Sequence, residues 1–221
     1  MKVLPLFKSH YSIGKSILTL DKAGSSSKEG SSSIVDIAKE NKLEQVFLVE
    51  ENMSSFLDAF KNFGSIKTPF FYGLRLDLCP DINDKTEESL KKSSKIIIFA
   101  KNGNGYKKLI KIFSIAATNG FYYTPRIDEK TLTDEWDETS LKLCVPFYDS
   151  FLFNNTMSYS LCCPELKFTS PGERDLVDAV RYFAKISGLL IVATVFTGLV
   201  QVYLMDGAAI FTSSHGRLNV L

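Results

Sequence analysis

The stretch "KNGNGYKKLIKIFS" at residues 101–114 sets glycines beside lysines, the ingredients of a loop that cradles phosphate with backbone amides. A Walker-type loop needs two glycines framing four residues, followed by Lys and then Ser or Thr. "GNGYKK" lacks that frame, and so does "SHYSIGKS" at 9–16, where Ser9 stands in place of the first glycine. A dinucleotide fingerprint fails as well, because only Gly103 and Gly105 are present. The ordinary reading is a turn at Asn102–Asn104 followed by an amphipathic helix. Tyr106, Leu109, Ile110, Phe113 and Ala117 form its apolar stripe, with Lys107, Lys108 and Lys111 on the solvated side.

Other groups able to do chemistry are sparse. The histidines are His10 and His215, and the adjacent carboxylates Glu50 and Glu51 end an apolar run. Cys79, Cys144, Cys162 and Cys163 show no CxxC spacing, which predicts reduced thiols of an intracellular, cytoplasmic protein rather than a disulfide scaffold or zinc knuckle.

The elements that must position these groups alternate along the chain. "SSSKEGSSS" (25–33) is low in complexity, and residues 22–32 are expected to be a mobile Gly/Ser loop. Ser33 can cap a helix "IVDIAKENK", and "SSFLDAFKNF" is a second, with Phe56, Leu57, Phe60 and Phe63 at helical spacing. "TEESLKKS" is a short polar helix, and another follows Pro171. Strands are expected near 3–8, 45–50, 69–76, 95–100, 141–146 and 189–194. Such alternation predicts a parallel α/β sheet, open or closed into a barrel, with helices outside. No internal repeat is visible, and residues 1–221 are expected to form one domain with an unassigned segment at 195–221.

A formal net charge of +1 argues against a polybasic nucleic-acid binder, though a local basic patch stays open. "MKVLPLFKSHYS" has no long apolar run and is not expected to be a signal peptide. Ile186 to Met205 is uncharged and about the length that spans a bilayer. It is rich in β-branched residues and interrupted by Thr194, Thr197, Gly198 and Gln201, so two buried strands joined by a loop are expected instead, with no membrane contact.

Read as a whole, "IIIFAKNGNGYKKLIKIFSIAATNGFYYTPRID" resembles a segment of the polymerase-and-histidinol-phosphatase (PHP) domain of bacterial DNA polymerase III alpha subunits. Four more pieces fall in the same order: "FKSHYSI", "IVDIAKENKLEQVFLVEEN", "FGSIKTPFFYGLRL" and "PELKFTSPGERDLVDAVRYFAKISGLLIVAT". The resemblance covers most of residues 1–194 and fades after Thr194. It implies a distorted (βα)7 TIM-like barrel and a connection to DNA replication.

Active members of that family bind metal ions through histidines and carboxylates at strand ends, generating hydroxide and clamping a phosphoester. The resemblance aligns those positions with Leu6, Lys8, Glu50, Glu51, Arg75 and Lys95, with His10 nearby, and a last pair with Phe196 and Gly198. Cations thus stand where ligands for cations belong. Lys8, Arg75 and Lys95 are expected to neutralise Glu50 and Glu51 across one strand-end rim, leaving a degenerate site with no metal and no catalytic residue.

Three function classes follow. The first is a catalytically inactive PHP-like module for structure or partner binding in replication, working through another polypeptide such as a replicative polymerase subunit or a proofreading exonuclease. The second is a residual phosphoesterase using zinc or manganese on Glu50, Glu51, His10 and Asp77. The third is a nucleic-acid-binding module that contacts DNA weakly through Lys107, Lys108, Lys111, Phe121, Tyr122, Tyr123 and Arg126.

Overall fold

Short apolar runs pair into a central sheet whose two faces take alternate side chains. A computed structural model describes residues 6–25, 30–146, 149–156, 162–163, 200–205, 208–213 and 218–220. Along the chain these form β1 (Leu6–Phe7), α1 (Ile34–Glu40), β2 (Val46–Glu50), α2 (Phe56–Ile66), β3 (Phe70–Cys79), α3 (Glu87–Lys91), β4 (Ser94–Ala100) and α4 (Gly103–Thr118). There follow β5 (Arg126–Asp128), α5 (Glu129–Glu135), β6 (Leu141–Cys144), α6 (Phe151–Thr156), β7 (Val200–Met205), β8 (Ala208–Ser213) and β9 (Leu218–Val220). Side chains set the helix starts as expected. Ser33 accepts from the Val35 amide, and Asn102 accepts from the Gly105 amide, so the glycine loop is a helix cap.

The main sheet runs β1-β2-β3-β4-β6, and β5 pairs with β3 beyond the end of β2. The β1–β2, β2–β3 and β3–β5 pairings are parallel, whereas β4 is antiparallel to both β3 and β6. The sheet is therefore mixed and parallel-leaning rather than all parallel, and it does not close among the described residues. Within the 80–93 connection α3 is about 7.5 Å long, against roughly 33 Å for β3. The connection stays at one end, and β4 returns with Ser94 opposite Leu78. A separate antiparallel meander, β7-β8-β9, occupies part of the C-terminal segment.

One face of the sheet and the helices share the principal core, in which Leu48, Leu74, Ile96, Ile98, Leu109 and Ile112 are fully buried. Each such side chain contributes about 1.5–3 kcal/mol relative to exposure. The opposite face carries a smaller cluster of Val49, Ile97, Phe99 and Cys144, with Leu6, Phe47 and Phe71 against it.

Two helices are rotated from their expected orientation. In α2 the buried residues are Ala59 and Phe63, while Leu57 and Phe60 are exposed. In α4 the buried stripe is Gly105, Leu109, Ile112 and Ala116, and Ile110 faces outward. The close approach explains the shift in α4: a β-carbon on Gly105 would lie 2.1 Å from the Ser140 carbonyl oxygen, so Gly105 marks the contact line.

Cys79, Cys144, Cys162 and Cys163 are all reduced thiols, with no disulfide between them. Burial pushes the Cys79 thiol up to about 11 and the Cys163 thiol up to about 12, which suppresses the reactive thiolate. Among the described residues no helix is long and apolar enough to cross a membrane. The expected strand at 189–194 lies outside the described residues, as do residues 26–29 of the expected loop at 22–32.

Candidate functional site

Strand alternation sorts the polar residues at the ends of β1, β2 and β3 onto opposite faces. Val46, Leu48 and Glu50 point into the principal core, whereas Phe47, Val49 and Glu51 point the other way. Arg75 and Asp77 on β3 share the second face, and the reversed β4 brings Lys95 opposite Asp77. A cleft of about 250 Å³ opens there, lined by Ser12, Ile13, Glu51, Arg75, Asp77 and Lys95 together with Thr124 and Pro125.

Charges in this cleft are matched pair by pair. Lys8 Nζ lies 3.0 Å from Glu51 Oε1, and Lys95 Nζ lies 2.6 Å from Asp77 Oδ1. Arg75 donates from Nη2 to Asp149, a residue just before α6 whose carbonyl also accepts from the Lys95 amide at 2.6 Å. Thr124 donates to the second Asp77 oxygen at 2.7 Å. Burial by itself would raise the Glu51 pKa. The hydrogen bond and charge of Lys8, reinforced by Lys15 and Arg75, outweigh it and hold the carboxyl below its usual value.

Glu50 departs from the expected rim of neutralised carboxylates. It is fully buried, and its partners are not cations: the Ser9 amide donates to Oε1 at 2.9 Å and the Ser12 hydroxyl to Oε2 at 2.6 Å. The Ser12 hydroxyl oxygen in turn accepts from the Glu51 amide at 3.1 Å. Asn52 donates to the Tyr11 carbonyl at 2.9 Å, and the Tyr11 hydroxyl donates to Asp58 of α2. That hydrogen bond, with burial second, raises the Tyr11 pKa. Glu50 is therefore the inner post of a clamp that ties the 8–15 loop to the end of β2. Facing away from Glu51, it cannot share an ion with it.

Leu6 lies deeper on the cleft face and packs against its apolar cluster, and His10 is exposed with its ring 4.4 Å from that of Tyr11. His215, Phe196 and Gly198 lie outside the described residues. Among the described residues no group of three or more His, Cys, Asp or Glu side chains is placed to hold a metal ion. The carboxylates that face the cleft, Glu51 and Asp77, each already bind a lysine. This donor set does not fit a metal cluster of the kind that the resemblance implies.

The basic and aromatic set on α4 and the 119–126 loop is not assembled into one surface. Arg126 is fully buried; it donates to the carbonyls of Gly120 (3.1 Å) and Asp84 (2.9 Å) and to the Ser89 hydroxyl (3.0 Å). Its guanidinium sits 5.2 Å from the Tyr122 ring centroid. Arg126 is thus a core staple and is withdrawn from nucleic-acid contact. Lys108 and Lys111 both reach Glu135 of α5, at 3.4 and 2.6 Å, while Lys107 is exposed. Ser12 and Thr124 join the cleft, and Asp149 pairs with its Arg75, without any sequence signal, because hydrogen-bond partners distant in the chain leave no spacing pattern.

A family model described as the PHP domain matches residues 9–160, more than half of the chain. Over 48 residues the chain is 48% identical to DNA polymerase III subunit alpha of Borreliella burgdorferi. That match covers 22% of this chain and 4% of the polymerase subunit, so the chain spans a small part of the relative's length.

Proposed function

The chain belongs to the PHP domain family, and from that premise we propose that it is a catalytically inactive member serving as a structural or partner-binding module in DNA replication. In this reading residues 1–221 form one unit, the described sheet is part of a PHP-type distorted (βα)7 barrel, and the partner is a replicative polymerase subunit or a proofreading exonuclease. The observation that carries it is the set of ion pairs Lys8–Glu51, Lys95–Asp77 and Arg75–Asp149 where the family's metal ligands align. A divalent ion placed about 5 Å from one fixed cation meets a repulsion on the order of several kcal/mol, even at an effective dielectric near 20. Three such cations oppose a metal ion here, and among the described residues the carboxylates lining the cleft, Glu51 and Asp77, are each paired with a lysine.

A phosphoesterase assay tests the reading. The purified chain, supplemented in turn with zinc, manganese and iron, is expected to hydrolyse bis-p-nitrophenyl phosphate no faster than buffer. Its melting temperature is expected to be unchanged by EDTA. Metal-stimulated turnover that is lost with Glu51→Gln would overturn it.

A further inference from the structure

The cleft is not a closed set of ion pairs, because one donor is left over. Arg75 Nε is buried and has no hydrogen-bond partner among the described residues. Nε and Nη2 lie along one edge of the guanidinium, the edge that grips a carboxylate with two parallel hydrogen bonds. Asp149 takes only Nη2. The two members of that pair also differ in exposure. The Arg75 side chain is 19% exposed, whereas that of Asp149 is 63% exposed and so is held mainly at its tip.

We infer that Asp149 is an internal stand-in, and that Arg75 receives a carboxylate from an acidic segment of a partner protein, which displaces it. This rests on the reading of the cleft as a metal-free, partner-facing site, and it names the chemistry of the partner. Charge favours that occupant once Asp149 swings out. Lys8 and Lys95 stay paired with Glu51 and Asp77, which leaves the Arg75 guanidinium as a cation without a carboxylate. Walls favour a peptide over a bare anion: Ile13, 89% exposed, and Pro125 flank the opening and suit apolar neighbours of the acidic residue. The Asp149 backbone need not move, since its carbonyl is anchored by the Lys95 amide. Exchange is then a side-chain rotation, fast and low in cost.

The probe is a capped pentapeptide with one glutamate between two leucines, titrated into the isotopically labelled full chain and followed by NMR. The Arg75 Nε–H resonance is expected to move downfield and saturate, with the Asp77 and Thr124 amides shifting in parallel. A glutamine twin of the peptide should leave all three in place. Asp149→Ala removes the competitor and should tighten peptide binding about three- to fivefold, the range of a partly exposed ion pair. Arg75→Lys keeps the charge and loses the paired donors, so the Asp77 and Thr124 shifts should vanish. The inference is overturned if the glutamate and glutamine peptides behave alike. It is equally overturned if Asp149→Ala leaves affinity unchanged or weaker, or if inorganic phosphate binds as well as the peptide, which would mark a general anion site. Bound metal with hydrolytic turnover would instead fail the functional reading, whereas a metal-free, inert chain that ignores the peptide fails this inference alone.

Discussion

Replacing Glu50 separates a clamp from a metal ligand, because the two roles predict different losses. The carboxyl is fully buried, and it satisfies the Ser9 amide at 2.9 Å and the Ser12 hydroxyl at 2.6 Å, both in residues that are themselves buried. Glu50→Ala leaves two buried donors without an acceptor, at about 1–3 kcal/mol each, so a loss of about 2–6 kcal/mol is expected. For a chain of this size that corresponds to a fall in melting temperature on the order of 5–15 °C. Glu50→Gln keeps the shape and one acceptor oxygen, and Ser12 can reorient its hydroxyl, so about 1–2 kcal/mol is expected. Denaturant unfolding measures both variants, and hydrogen exchange at the Ser9 amide reports the clamp directly, with protection falling steeply in Glu50→Ala. A loss below about 1 kcal/mol in Glu50→Ala, or equal losses in the two variants, would refute the clamp.

Lys8→Met should weaken the acid limb of stability. The Glu51 pKa is depressed in the fold, so its contribution is fully present above the unfolded value of 4.5 and is lost as pH falls through the lower folded value. Urea midpoints across that window should depend less on pH in Lys8→Met than in the parent chain. Glycine substitutions should split by space. Gly105→Ala forces a β-carbon to 2.1 Å from the Ser140 carbonyl oxygen and should destabilise strongly, whereas Gly64→Ala on α2 meets nothing within 4 Å and should stabilise by about 0.5–1 kcal/mol. Thermal melts of the two variants check the contrast. Arg126→Met leaves the Gly120 and Asp84 carbonyls and the Ser89 hydroxyl without their buried donor and should cost about 2–5 kcal/mol in denaturant unfolding, with no change in retention on single-stranded DNA.

Periodicity located β2, β3, β4 and β6 because each is an apolar run bounded by turn formers, and run length alone separates such strands from helices. It could not orient β4. That depends on whether the 80–93 connection crosses the sheet or stays at one end, a three-dimensional property of a short helix. β5 and α5 were invisible for another reason. Arg126 reads as a solvated cation, and its burial follows from acceptors at Asp84, Ser89 and Gly120 that no local pattern reveals. The α4 face drifted because the Gly105 contact, rather than the largest side chains, decides which side meets the sheet. At the site the resemblance named Lys8, Arg75 and Lys95; the structure brings Arg75 and Lys95 into one cleft and pairs Lys8 with Glu51 of its lining. Their partners were only half legible. Glu51 was readable as an adjacent carboxylate, Glu50 turned inward by strand alternation, and Asp149 arrives from a distant segment.

Elemental analysis of the chain, purified without chelator, tests most directly whether protein cations have replaced metal in this cleft. Zinc, manganese and iron are each expected well below one equivalent per chain, unchanged after dialysis against those ions. Stoichiometric metal that disappears on Glu51→Gln or Asp77→Asn would contradict it and assign the cleft to metal-dependent chemistry.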